Sequence, residues 1–266
     1  MPEAVDQTPR ADCGPCRHRL TLLSQGRCQV GDRCVATQSG RQIDRFFRAN
    51  PELAREYLAD EFWERRAIAA RYSPVGDLRA LASDPDEAVR RVIAYRLPLD
   101  ELTQLASDPD REVRITVADR LPAAELQRML GDPDYLVRET LARRLPEKML
   151  FRLMIDVDRQ VRKTVARRLP VGSLLWMSRD AEPDVRRIVA SRLSPGELAP
   201  LLEDSDWVVR LEAALRAPLS LLATLENDDE PEVAEVVRRR LSEQGQQSDS
   251  SAPSANDSAV ALAKSR

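Results

Sequence analysis

The chain has 266 residues, and its 41 Lys and Arg against 44 Asp and Glu leave a net charge of −3, which excludes a wholly cationic nucleic-acid binder. No apolar run is long enough to cross a bilayer. Aromatics make up only 4% of residues, so Leu, Val and Ala have to supply the core. In chain order, residues 1–12 are polar and acidic, lack the basic-then-apolar order of a secretory signal, and read as disordered in a cytoplasmic protein. Residues 13–40 hold all four cysteines, Cys13, Cys16, Cys28 and Cys34, spaced C-x2-C, eleven residues, C-x5-C. In a reducing compartment such a cluster reads as a metal site before disulfides. Leu20, Leu22, Leu23 and Val30 are too few for a private core, so this module needs a metal or a docking surface to fold.

Four thiolates serve zinc or a cubane cluster equally, and the spacing leaves both open. Zinc modules favour pairs two to four residues apart, and Cys28 and Cys34 enclose five; the ferredoxin runs also differ. Arg17, Arg19, Arg27 and Arg33 stand around the cysteines, placed to offset an anionic cluster or simply solvated. His18, the single histidine, follows Cys16 by two residues; it could substitute as a ligand, but with four cysteines present it is read first as a surface residue.

Residues 41–72 are helical in pattern and concentrate the aromatics Phe46, Phe47, Tyr57, Phe62 and Trp63. They are expected to cap the open end of an array and to give the cysteine module a surface, with Asn50 as N-cap and Pro51 at a first helical position. Residues 73–242 then repeat with a period of 24: Val89, Val113, Val137, Val161, Val185, Val209 and Val233 keep it, as do Asp84, Asp108, Asp132, Asp156, Asp180, Asp204 and Asp228. A fixed period of this size marks an array whose units bury apolar faces only against neighbours.

Each unit carries a long helix expected to start at Asp-Pro, with Asp108 as N-cap and Pro109 first, and to stop at Leu121-Pro122. Its buried stripe is Val113, Val117, Ala118 and Leu121. A shorter apolar set, Leu102, Leu105 and Ala106 or Leu126, Met129 and Leu130, fits one or two turns of the 3₁₀ kind. The last unit drifts, with Ala217, Ala234 and Arg238 off pattern, and residues 243–266 read as a disordered tail.

The unit Arg-Leu-Pro-x4-Leu-x5-Asp-Pro-Asp-x2-Val-Arg-x2-Val-Ala, preceded by four cysteines, resembles the leucine-rich repeat variant family. That resemblance covers residues 13 to about 241. It implies an all-α, right-handed superhelical solenoid of two-helix repeats, α alternating with 3₁₀, behind an N-terminal 4Fe-4S module. It thereby moves the cofactor from the open choice toward 4Fe-4S, held by the four cysteines, and suggests a setting in nitrogen fixation.

Two arginine rows remain: Arg90, Arg114, Arg138, Arg162, Arg186 and Arg210, and Arg96, Arg120, Arg144, Arg168, Arg192 and Arg216. A basic stripe can track phosphates. However, each first-row Arg follows an acid by four residues, and the second row sits where cations favour a helix end, so local pairing accounts for both. There is no Gly-rich phosphate loop or nucleophile elbow, and no catalytic residue is assigned. The expectation is a non-enzymatic iron–sulfur repeat protein that binds a macromolecular partner, a protein before a nucleic acid, with no membrane role. The rival readings are a zinc-stabilised nucleic-acid binder and a purely structural cluster.

Overall fold

The computed structural model describes residues 10–250, the side chains of 244–250 excepted. Among the described residues all regular elements are helical, and extended chain pairs in one isolated antiparallel bridge, Gln29 to Arg33. The α-helices are α1 (Gly40–Ala49), α2 (Trp63–Tyr72), α3 (Glu87–Arg96), α4 (Arg111–Arg120), α5 (Tyr135–Arg144), α6 (Arg159–Arg168), α7 (Val171–Leu174), α8 (Pro183–Arg192), α9 (Ala199–Leu202), α10 (Trp207–Ala214) and α11 (Pro231–Ser250). Single 3₁₀ turns such as Leu102–Leu105 and Leu126–Met129 stand between the long helices, as the short apolar sets predict. The chain divides into two compact units, residues 1–145 and 146–266.

The stripe is the core. Val113, Val117, Ala118 and Leu121 are fully buried, as are Val137, Leu141, Ala142 and Leu145 in the next repeat. Leu102 and Leu105, or Leu126 and Met129, close it from the 3₁₀ side. Each Val or Leu removed from water contributes about 1.5–3 kcal/mol. Helices stop as expected: Leu121 still gives its N–H to Val117 O at 2.9 Å, and Pro122 has none to give.

The helices do not start where the Asp-Pro pattern predicts. The N-cap of α4 is Asp110, not Asp108, and its carboxylate accepts from Glu112 N and Val113 N. Asp108 is occupied elsewhere: Oδ1 takes Asp110 N–H at 2.9 Å, and both oxygens take the Arg90 guanidinium. Pro109 therefore lies before the helix, and the array tolerates its replacement. Asp156-Val157-Asp158 and Asp204-Ser205-Asp206 start α6 and α10 at the same register with Asp158 and Asp206 as caps.

The arginine rows also pair differently. Arg114 does not bind Asp110, four residues earlier; it reaches Asp132, eighteen residues later in the next repeat, at 2.8 and 3.1 Å. Arg66 with Asp84, Arg90 with Asp108, Arg162 with Asp180, Arg186 with Asp204 and Arg210 with Asp228 do the same. Nη1 of each turns back to its own repeat, as Arg114 does to Asp108 O. The second row binds the preceding repeat: Arg120 donates to Leu97 O at 2.9 Å and Arg144 to Leu121 O at 2.8 Å. Cations do favour these helix ends, but Arg96, Arg120, Arg144, Arg192 and Arg216 serve the helix before their own. Helix-wheel spacing alone misses this, because stacking brings residues 18 or 23 apart into contact.

At the C-terminal end α11 runs through Ser250, so residues 243–250, expected to belong to a disordered tail, are helical. Where earlier helices meet Leu-Pro, Leu241 is followed by Ser242, and nothing removes an N–H. The expected disorder of residues 1–9 and 251–266 lies outside the described residues.

Candidate metal centre

The cysteine module is built from turns. Cys16 N–H bonds Cys13 O at 3.3 Å, which closes the C-x2-C pair on itself. A single π-turn, Arg19–Leu23, drives Leu22 into the interior. Gly26 and Gly31, with φ of 67° and 81°, supply the left-handed backbone that bends the chain on either side of Cys28. Between the second cysteine pair, Gln29 and Arg33 exchange N–H···O bonds of 2.8 and 2.9 Å. That bridge explains the C-x5-C spacing, because five residues folded back on themselves leave Cys28 and Cys34 side by side.

Cys13, Cys16, Cys28 and Cys34 line one small cavity, together with Val30, Val35 and Phe46. The sequence thus names all four thiols that the fold brings together. They share the cavity without converging on one point: among the described residues no three His, Cys, Asp or Glu side chains form a single-ion group. Cys34 is buried and the others half-buried. Burial pushes the Cys34 thiol up, opposed by N–H groups of Ala36 and Thr37. Burial also raises Cys28, as do the neighbouring thiols, while Arg33 opposes. Iron bonded directly to the thiolate sulfurs would offset both effects.

A sulfur-rich anionic cluster fits this wall on a second ground. Arg33 lines the cavity, and its buried Nε–H has no acceptor among the described residues; Asp32 Oδ2 is 3.4 Å away without the alignment of a hydrogen bond. A cluster sulfur would supply that acceptor. Of the other arginines named with the cysteines, Arg17 lies over the Tyr57 ring and pairs with Glu56, Arg27 pairs with Glu52, and Arg19 is exposed.

His18 is not on the surface. It is buried against Phe46 at 5.5 Å between ring centroids, lines the same cavity, and its Nε2 is 2.6 Å from Tyr57 Oη. Burial first, and the Arg17 charge second, lower its pKa. The sequence signal missed was Tyr57, far along the chain but facing His18 across the connector.

Module and connector are one folded unit. Leu22 and Val35 enter a single core with Ile43, Phe46, Phe47 and Tyr57, and Cys28 packs on its edge. Cys34 N–H donates to Gln42 O at 3.2 Å, and Asn50 Nδ2 holds Arg27 O at 3.0 Å. Asn50 stands at the N-cap position with Pro51 first, as expected, but the element is a 3₁₀ helix and the Asn50 side chain makes no cap bond, tying the module to α1 instead.

The family model described as "LRV protein FeS4 cluster" matches residues 7–56, and "Leucine rich repeat variant" matches residues 63–86 and 111–134. A curated protein of Rhodobacter capsulatus, "Uncharacterized 27.7 kDa protein in nifB 3'region", is 42% identical over 97 residues, 36% of this chain and 39% of that protein. The match therefore spans well under half of that relative. An engineered protein 16% identical, aligned over 76% of this chain and 83% of its own, gives a TM-score of 0.37, too weak to argue from. A solved structure titled "A leucine-rich repeat variant with a novel repetitive protein structural motif" is 58% identical and covers 88% of this chain and 100% of its own, with a TM-score of 0.84. The chain belongs to the leucine-rich repeat variant family, a helical repeat protein carrying that family's FeS4 cluster module.

Proposed function

We propose that Cys13, Cys16, Cys28 and Cys34 hold a 4Fe-4S cluster that serves redox sensing or electron transfer, in a non-enzymatic protein whose repeats bind a macromolecular partner. The observation that carries this is the single cavity walled by all four thiols and seated on the Phe46–Tyr57 core. When bound, such a cluster supplies one-electron transfer. The chain's part is to shield it with Val30, Val35 and Phe46, to offer Arg33 Nε–H, and to hold Cys34 between backbone donors. The name of the Rhodobacter capsulatus relative supports a place in nitrogen fixation. A phosphate-tracking role draws no support from the arginine rows, which are engaged within the array.

Anaerobically purified protein should be brown, with about four iron and four sulfide per chain. Colourless protein with one zinc under those conditions would sink the cluster assignment. Sensing is separable from plain electron transfer by amide exchange. Removal of iron should deprotect residues 13 to roughly 75 and leave residues beyond Asp108 unchanged, because repeats contact only neighbours. Unchanged protection of residues 41–75 would leave electron transfer as the better reading.

A further inference from the structure

Two grooves in the array match position for position at a distance of two repeats. One is lined by Asp108, Arg114, Asp132 and Met129 among others; the second by Asp156, Arg162, Asp180 and Met177, each exactly two periods later. The frame is the same, but the walls differ. Ala106 becomes Met154, Ser107 becomes Ile155, Arg128 becomes Trp176, and Gly131 becomes Arg179. Three of the four exchanges add larger apolar side chains to a groove of about 350 Å3 and the fourth puts a cation at its rim, while Asp156, Arg162 and Asp180 stay in the wall.

The apolar character extends past the walls. Ile155 is 89% exposed, Trp176 75% and Phe151 56%, and Val157, where three earlier repeats have Pro85, Pro109 and Pro133, is 92% exposed. Nothing in the core requires these residues, since other repeats do without them. Large apolar side chains left in water at adjoining positions mark an interaction site. Its charge is also local. Arg179 lines it, and Lys148 and Arg152 are exposed on the preceding 3₁₀ segment beside one exposed acid, Glu147, whereas other repeats have Asp100 at the position of Lys148 and Glu203 at that of Arg179.

We propose that the groove between Ile155 and Trp176 is a docking site for an acidic protein segment that inserts an apolar side chain. The concave wall of Met154, Ile155, Trp176 and Met177 suits an inserted anchor, and thioether side chains adapt to its shape. The basic rim selects acidic flanks and speeds encounter. This rests on the partner-binding half of the function proposed above, and it is independent of the cluster.

The test uses the full-length, iron-loaded chain. Its probe is a fluorescein-labelled helical peptide with Leu at i and i+4 flanked by Glu, beside a Lys-flanked version. The variant Ile155→Ser with Trp176→Arg installs the residues that the matching groove already carries, so its fold and iron content should be unchanged. The Glu peptide should bind the wild type, weaken with added salt, and lose about tenfold or more on the variant. Equal binding of the Lys peptide, or equal binding by the variant, would overturn the proposal. So would sedimentation with phosphatidylcholine–phosphatidylglycerol vesicles that the variant abolishes in the absence of Glu-peptide binding, which assigns the patch to a lipid surface. Self-association lost in the variant, with no peptide bound, would assign it to a second copy. Iron analysis and the visible spectrum of the same preparations report on the cluster separately.

Discussion

Removing Asp132 should cost far more than an acid on a helix surface ordinarily does. An alanine there strips the Arg114 fork of two acceptors, Oδ2 at 2.8 Å from Nε and Oδ1 at 3.1 Å from Nη2. It also orphans Asp134 N–H, which sits 2.9 Å from Asp132 Oδ1. Nη1 keeps the carbonyls of Asp108 and Pro109, so the arginine cannot swing out without losing those too. The Arg114 and Asp132 side chains are only 10% and 4% exposed, and water can replace little. Breaking a buried pair from one side costs about 3–5 kcal/mol. Asp134→Ala, which removes one N-cap acceptor for Leu136 N, should cost about 1 kcal/mol. Glu125→Ala, in the exposed pair with Arg128, should cost no more than about 0.5 kcal/mol.

For a unit of this size the first loss corresponds to a fall in Tm on the order of 10 °C. Urea and thermal unfolding followed by far-UV circular dichroism would rank the three. A second arm checks the mechanism. Replacing the whole pair, Arg114→Met with Asp132→Leu, leaves no unpaired charge and should recover most of the loss, since apolar replacement of buried pairs is often neutral or stabilising. If Asp132→Ala loses no more than Asp134→Ala, or the paired replacement loses the sum of its parts, the reasoning from burial is wrong.

Val137→Asp places a carboxylate at a fully buried stripe position and should prevent residues 73–145 from folding, read as lost helical signal and amide protection. Tyr57→Phe removes the 2.6 Å contact with His18 Nε2 and the 3.3 Å bond from Arg17; we expect about 1–3 kcal/mol lost and faster bleaching of the cluster in air, and unaltered bleaching would speak against it. The Arg210 hydrogen bond holds Asp228 below the usual carboxylate range, and for Asp204 burial pushes up but the Arg186 bond and backbone N–H prevail. Depressed folded pKa values give stability that is full above the unfolded pKa of about 3.9 and lost as pH falls through the folded values. Tm should therefore hold between pH 7 and about 5 and drop below about 4, and a Tm that rises on acidification would contradict the pairing.

The period made the core legible. Val113, Val117, Ala118 and Leu121 follow from spacing because burial along one helix is a property of that helix alone. The same holds for the four cysteines, whose chemistry marks them before any geometry does. What the sequence did not yield depends on how repeats stack. Arg114 stands four residues from Asp110 and eighteen from Asp132, and only the next helix packed beside the first decides for Asp132. The N-cap shifted with it, because Asp108, claimed by Arg90, cannot also cap α4. His18 was misread for a like reason. A lone histidine among arginines reads as solvated until Phe46 and Tyr57 fold over it.

A strict repeat also locates where its function is written. Asp108, Arg114, Val113 and Leu121 recur because each repeat must join the next, so they distinguish no part of the array from another. Specific recognition has to use positions the frame leaves free, and Ile155 and Trp176 occupy such positions. The cluster is read differently. Cys28 and Cys34 are tied to α1 through Leu22, Val35 and Gln42, so its loss should be felt in the first helices. In a chain where each unit touches only its neighbours, that disturbance fades within a repeat or two. Three full periods separate Arg79 from Phe151 in sequence. A partner seated at the apolar groove alone would thus not sense the cluster through the array. A sensor requires that the partner also touch the cysteine module or α1.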